Sequence, residues 1–198
     1  MYQIEQFEEH NNLKESFQQY FDDSTAKWYT PWDGCNAKST FANNTEFNRR
    51  LGDFLFSTSF QALLKQAASK RKGRQVSFRK VKFQTWLNVY ENNFFQEPHN
   101  HLNKADAMED QPDICFVYFF DIPDEELFFF LDGDEQHYIN ETCGQIVFFG
   151  PETWHGVDMN PTNQTRRSVS GNLWLMDNRK ALPFGNSLPT VRIKENNG

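Results

Sequence analysis

Of the five histidines in the chain, two stand together in Pro98-His99-Asn100-His101. Side chains two apart on an extended chain project to the same side, so His99 and His101 can offer two imidazoles to one metal ion. A third, His155, follows a Gly-Pro turn in GQIVFFGPETWHGV and opens a short strand that a sandwich fold can return beside the first pair. Three neutral nitrogen ligands that leave further positions open suit non-haem iron or another borderline divalent metal. Arg166 comes eleven residues after His155, followed by Ser168, Ser170 and Asn172 at alternate positions. A guanidinium fork with a hydroxyl two residues on is suited to a carboxylate. Arg167 faces the opposite side of the same strand and is the alternative for that role. His10 and His137 have no such neighbours and read as surface residues.

These residues need elements to position them. Phe7, Leu13, Phe17 and Phe21 recur at helical intervals and predict an amphipathic helix over about Gln6 to Tyr20. Thr45 and Ser57 or Thr58 can cap two further helices, the second ending at Lys72-Gly73. Tyr29 to Thr40 reads as irregular. From Gln75 the period becomes two, through Val76, Phe78, Val81 and Phe83 to a strand ending near Tyr90. Short strands follow at Asp113 to Ile122, Glu126 to Leu131, Gln136 to Asn140, Gly144 to Phe149, Trp154 to Met159 and Arg166 to Met176, separated by Pro, Gly, Asp and Asn. Consecutive strands without helices between them predict an antiparallel sandwich or jelly roll rather than alternating βαβ units. The fold class expected is mainly β with N-terminal helices (α+β). One domain spans 1–198: a mainly helical brace (1–74), a β core (75–176) and a C-terminal wrap (177–198).

With 38% apolar and 24% charged residues, the chain is neither a disordered tail nor a membrane protein. Its 21 phenylalanines, concentrated in FVYFF, LFFFL and IVFF, are expected in strands buried on both faces. The net charge of −7 argues against general nucleic-acid binding. The basic stretch from Lys65 to Lys82 reads as a helix C-terminus followed by a solvated strand face, with a dock for an acidic substrate or for nucleic-acid phosphates as the alternative. Three scattered cysteines and an N-terminus lacking the pattern of a secretion signal point to a reducing, cytoplasmic setting. The triplets at Asn43, Asn140 and Asn163 match glycosylation acceptors and read as surface loops.

The segments WLNVYENNFFQEPHNH, VYFFDIP, GQIVFFGPETWHGV and RRSVSGNLWL resemble, in order and spacing, the iron(II)/2-oxoglutarate-dependent oxygenases, most closely those found in tailed phages and marine bacteria. The resemblance covers about residues 84 to 176. It implies a double-stranded β-helix (a cupin-like jelly roll) with Fe(II) as cofactor and 2-oxoglutarate as co-substrate. It also implies His99 and His155 as metal ligands, Arg166 and Ser168 as the clamp on the far carboxylate, and Asn88 and Tyr118 on the pocket wall. His101 stands where that family usually has aspartate, and Asp106, Glu109 or Asp110 in the following acidic loop is the alternative ligand. Trp86, Tyr90 and Trp154 are candidate aromatic walls.

The implied activity is hydroxylation of an unactivated C–H bond with release of succinate and CO2. The substrate expected is a small molecule or protein side chain rather than nucleic acid, with no membrane partner, a homodimer left open, and the host cytoplasm as location if the chain is phage-encoded. Two alternatives stand: a cupin-like metalloenzyme that leaves Arg166 idle, and a non-catalytic jelly-roll module of binding or structural type, such as a virion component.

Overall fold

A computed structural model describes residues 2–30, 35–41, 45–102, 111–176 and 189–193. Eight strands carry the architecture: β3 (Lys80–Tyr90), β4 (Gln96–His99), β5 (Ile114–Asp121), β6 (Phe128–Asp132), β7 (Glu135–Tyr138), β8 (Gln145–Phe149), β9 (His155–Val157) and β10 (Arg166–Met176). They divide between two antiparallel sheets. The minor sheet has the order β4-β9-β6-β7, and the major sheet contains β8-β5-β10-β3. The chain therefore passes repeatedly from one sheet to the other, which is the double-stranded β-helix expected from the sequence.

The major sheet is extended at both edges by strands that the sequence pattern did not reveal. β1 (Gln3–Gln6) pairs with β8, while β2 (Lys38–Ser39) and β11 (Thr190–Arg192) pair with β3. The first helix accordingly starts later than its periodicity suggests, as α1 (His10–Phe21). QIEQ has one apolar residue, so ladder hydrogen bonds rather than side-chain burial hold it as an edge strand. α2 (Thr45–Phe56) and α3 (Phe60–Lys72) fall where expected. α3 ends at Gly73 in the left-handed conformation, φ 61°, which glycine adopts without steric cost. The end of α3 and the start of β3 hold the basic stretch: Arg71 pairs with Glu152 at 2.9 Å and Lys72 with Asp113 at 3.4 Å, and Lys82 is buried. Among the described residues no helix is long and apolar enough to cross a membrane.

The phenylalanine-rich strands are apolar throughout because they are covered on both faces. On β5, Phe116, Tyr118 and Phe120 pack in one cluster with Phe7, which follows β1, and with Phe17, Phe60 and Leu64 of the helical layer. Cys115, Val117 and Phe119 point the other way, into the space between the sheets, where they meet Phe128, Phe130, Val147 and Phe149. That inner layer forms the floor on which the polar residues of β3 and β10 converge.

Candidate functional site

β4 and β9 lie side by side with His99 directly opposite His155. His101 lies beyond the end of β4, where its backbone N–H donates to the Pro151 carbonyl at 2.8 Å. That hydrogen bond between two loops turns the His101 ring back toward the pair, so strand alternation alone does not account for its position. One nitrogen from each ring lies within 4.8 Å of the others, the only such histidine, cysteine or carboxylate group among the described residues. Gly156 lets β9 fit closely between its neighbours: a Cβ there would stand 2.6 Å from the Phe129 ring and 3.0 Å from the Gln96 carbonyl.

The tautomers follow from the partners. His99 Nδ1 lies 3.0 Å from the Glu97 carbonyl and His155 Nδ1 3.0 Å from the Thr153 carbonyl. His101 Nδ1 contacts Asn172 Oδ1 on β10. All three partners are acceptor oxygens, so each Nδ1 carries the proton and each Nε2 presents a lone pair. Burial holds the rings neutral. Desolvation lowers the pKa of His99, pushes His101 down to about 4 with help from His99, and takes His155 well below its ordinary value. Neutral imidazoles whose second nitrogen is fixed by a backbone or amide oxygen are what a divalent metal requires.

The same narrow cavity is lined by Asn88, Arg166, Ser168 and Ser170, with Trp86 and Tyr90 on β3. The register of β3 on β10 sets Arg166 opposite Tyr90, Ser168 opposite Asn88 and Ser170 opposite Trp86. Arg166 is fully buried. Its Nε and Nη2 donate to one oxygen of Glu141 at 3.1 and 2.8 Å, and its guanidinium stacks over Tyr90 and Phe119. The other Glu141 oxygen accepts the backbone N–H groups of Leu127 and Phe128 at 2.9 and 2.8 Å. Arg166 Nη1 is buried without a hydrogen-bond partner among the described residues. An orphaned guanidinium nitrogen in a cavity that also holds the Ser168 hydroxyl fits an incoming carboxylate. Arg167 faces the opposite side, where it pairs with Asp121 at 3.3 Å and lines a separate open hollow with Phe21 and Trp28.

Several expectations require correction. Tyr118 does not line the cavity: it faces the helical layer, and its hydroxyl shares a 2.5 Å hydrogen bond with His10 Nδ1. His10 is therefore buried rather than a surface residue, and its pKa is lowered, chiefly by desolvation. Trp154 is half exposed and not a wall. Asn140-Glu141-Thr142 is not simply a surface loop, because Glu141 is buried between its flanking residues. Asp106, Glu109 and Asp110 lie outside the described residues. Glu141 and the tethering role of Asn172 were missed as site features, and both depend on partners distant in sequence.

No protein-family model matches the chain, and no curated protein matches it in sequence. Solved structures do match in fold. A Pseudomonas putida prolyl-4-hydroxylase superposes with a TM-score of 0.62 at 13% identity, over 88% of this chain and 92% of that one. The non-haem α-ketoglutarate-dependent epimerase SnoN of nogalamycin biosynthesis gives 0.64 at 13% identity, over 98% and 91%. HygX from Streptomyces hygroscopicus, solved with nickel and 2-oxoglutarate bound, gives 0.61 at 10% identity, over 88% and 82%. With its two interleaved antiparallel sheets and a histidine triad among the described residues, this chain has the double-stranded β-helix fold of the 2-oxoglutarate/iron(II) oxygenases.

Proposed function

We propose that the protein is an iron(II)- and 2-oxoglutarate-dependent oxygenase acting on a C–H bond of a small molecule or a protein side chain. One observation carries this reading: three histidines clustered within ligand reach of one another and a buried arginine whose Nη1 has no hydrogen-bond partner among the described residues line the same cavity. A metal site alone would suit many cupin-like enzymes; the desolvated guanidinium beside a serine hydroxyl is what favours a reading with a co-substrate carboxylate.

In this reading His99, His101 and His155 hold the metal through Nε2, their orientation fixed by Glu97, Asn172 and Thr153. Arg166 and Ser168 take the far carboxylate of the co-substrate. When bound, the metal would activate dioxygen, with 2-oxoglutarate as the two-electron reductant: one oxygen atom would go to succinate as CO2 leaves, and the other would be available to oxidise a C–H bond. Val117, Phe128 and Val157 give the cavity apolar sides that exclude water. The Tyr90 hydroxyl donates to Gln96 Oε1 at 2.6 Å and so braces the strand that ends in His99. The structural neighbours include an epimerase, so hydroxylation is the proposed outcome rather than one fixed by the fold.

The test is anaerobic titration of the metal-free protein with iron(II) and then 2-oxoglutarate, following the visible charge-transfer band of the chelate. The band is expected in wild type, absent in His155→Ala and weakened in Arg166→Ala. Iron binding without a band would favour a cupin-like enzyme with no 2-oxoglutarate. No binding at all would favour a non-catalytic module.

A further inference from the structure

β4 carries one residue more than β9 between the two positions where the strands face each other. Gln96 stands opposite Val157 and His99 opposite His155, three steps along β4 against two along β9. Residues three apart on a regular strand face opposite sides, and a bulge of one residue brings both to the same side. Pro98, which has no N–H for a ladder bond, lies in that stretch. Gln96 thus lines the cavity together with the three histidines, Arg166 and Ser168.

The partners of its amide fix which way the side chain faces. His99 Nδ1 donates to the Glu97 carbonyl at 3.0 Å, so His99 Nε2 has a lone pair and accepts. The Gln96 amide nitrogen lies 3.4 Å from it. Turned the other way, the amide would set its own oxygen against that lone pair. Its Oε1 instead accepts the Tyr90 hydroxyl at 2.6 Å, and burial keeps that phenol protonated by raising its pKa. The Arg166 guanidinium lies over the same tyrosine ring, 5.0 Å from its centroid. Gln96 therefore aims a neutral donor with two N–H bonds at the nitrogen by which His99 would hold a metal. An oxygen ligand on a metal held there comes within the amide's reach.

We propose that Gln96 is a positioning residue that holds the metal-side carboxylate of 2-oxoglutarate through its amide N–H, as Arg166 and Ser168 hold the far one. This rests on the reading under Proposed function. Both ends of the co-substrate are then oriented by donors that rest on one buried side chain, Tyr90.

The experiment compares wild type, Gln96→Leu and Gln96→Glu. Mn(II) binding is followed by competition with a chromophoric chelator, 2-oxoglutarate binding at saturating Mn(II) by calorimetry, and folding by near-ultraviolet circular dichroism. Glutamate has the size of glutamine and keeps an oxygen for the Tyr90 hydroxyl, but sets an anionic acceptor where the amide donor was. Leucine removes donor and acceptor alike. Gln96→Leu is expected to weaken 2-oxoglutarate binding by about tenfold, the low end for a lost hydrogen bond to a charged group. Gln96→Glu, where repulsion is added, is expected to bind about tenfold more weakly again. If Gln96 only braces Tyr90, glutamate serves as well as glutamine. Gln96→Glu binding 2-oxoglutarate at least as tightly as Gln96→Leu, or wild-type binding in both, therefore overturns the proposal. A variant that folds but no longer takes up Mn(II) overturns it too, because Gln96 would then be orienting His99 and not the co-substrate. Should Gln96→Leu not fold, Gln96→Glu still decides against wild type, since bracing predicts no loss for it. A wild type that binds Mn(II) but takes up no 2-oxoglutarate overturns the oxygenase reading itself, and is seen before any variant is compared.

Discussion

Asn172→Leu removes the oxygen that holds His101 Nδ1–H while keeping the side chain's approximate volume. In wild type this contact fixes the tautomer before a metal arrives. In the variant the metal-free ring can shift its proton to Nε2, and metal binding must then force it back and leave a buried Nδ1–H unsatisfied. An orphaned buried donor costs about 1–3 kcal/mol. The lower half of that range, about 1–2 kcal/mol, corresponds to a loss of about 5–30-fold in metal affinity, within the span usual for residues supporting metal ligands. Asn172 also accepts the Cys115 thiol at 3.2 Å and lies 3.5 Å from Gln84, weak contacts that add little. The assay is competitive titration with a chromophoric chelator for Mn(II) or iron(II), followed by 2-oxoglutarate titration at saturating metal. The expected pattern is weakened metal binding with co-substrate affinity within about threefold of wild type. Metal affinity within about twofold of wild type would refute the tautomer argument.

Arg166→Lys keeps the charge but loses the planar fork that serves both Glu141 and a ligand, so 2-oxoglutarate affinity should fall by about a hundredfold with metal affinity nearly unchanged, read by the same two titrations. Tyr118→Phe strips His10 of its buried partner and should cost about 1–3 kcal/mol in urea unfolding while leaving metal and 2-oxoglutarate binding intact; lost binding would place Tyr118 back in the site. The site histidines set a pH dependence on the metal-free protein. Their folded pKa values lie below the ordinary 6.5, with His101 at about 4. Between those limits the unfolded chain binds protons that the folded one does not, so stability should fall as pH drops from about 6.5 toward about 4. Urea midpoints across that window test this, and a flat profile would contradict neutral, desolvated rings.

The double-stranded β-helix was legible because the strands from β5 to β10 are separated by turn residues and β5, β6, β8 and β10 carry a period-two or continuous apolar pattern. The histidine triad and Arg166 were legible from their types and order, aided by the family resemblance. What the sequence hid depends on partners far along the chain. Glu141 looks like a surface residue in Asn140-Glu141-Thr142 until Arg166, 25 residues on, is seen against it. The resemblance alone puts Tyr118 on the pocket wall, and FVYFF, apolar on both sides, has no phase that could correct it. His10 sits in a polar stretch, EEHNNLKES, and only the docking of α1 on β5 buries it. β1 was invisible for the opposite reason: an edge strand of mostly polar residues has no hydrophobic signature.

The most direct test of the account is a crystal structure of the protein grown anaerobically with Mn(II) and 2-oxoglutarate. It should show the metal on Nε2 of His99, His101 and His155, with the far carboxylate of the co-substrate on Arg166 Nη1 and Ser168 Oγ. A metal bound elsewhere, or a co-substrate carboxylate that leaves Arg166 untouched, would contradict it.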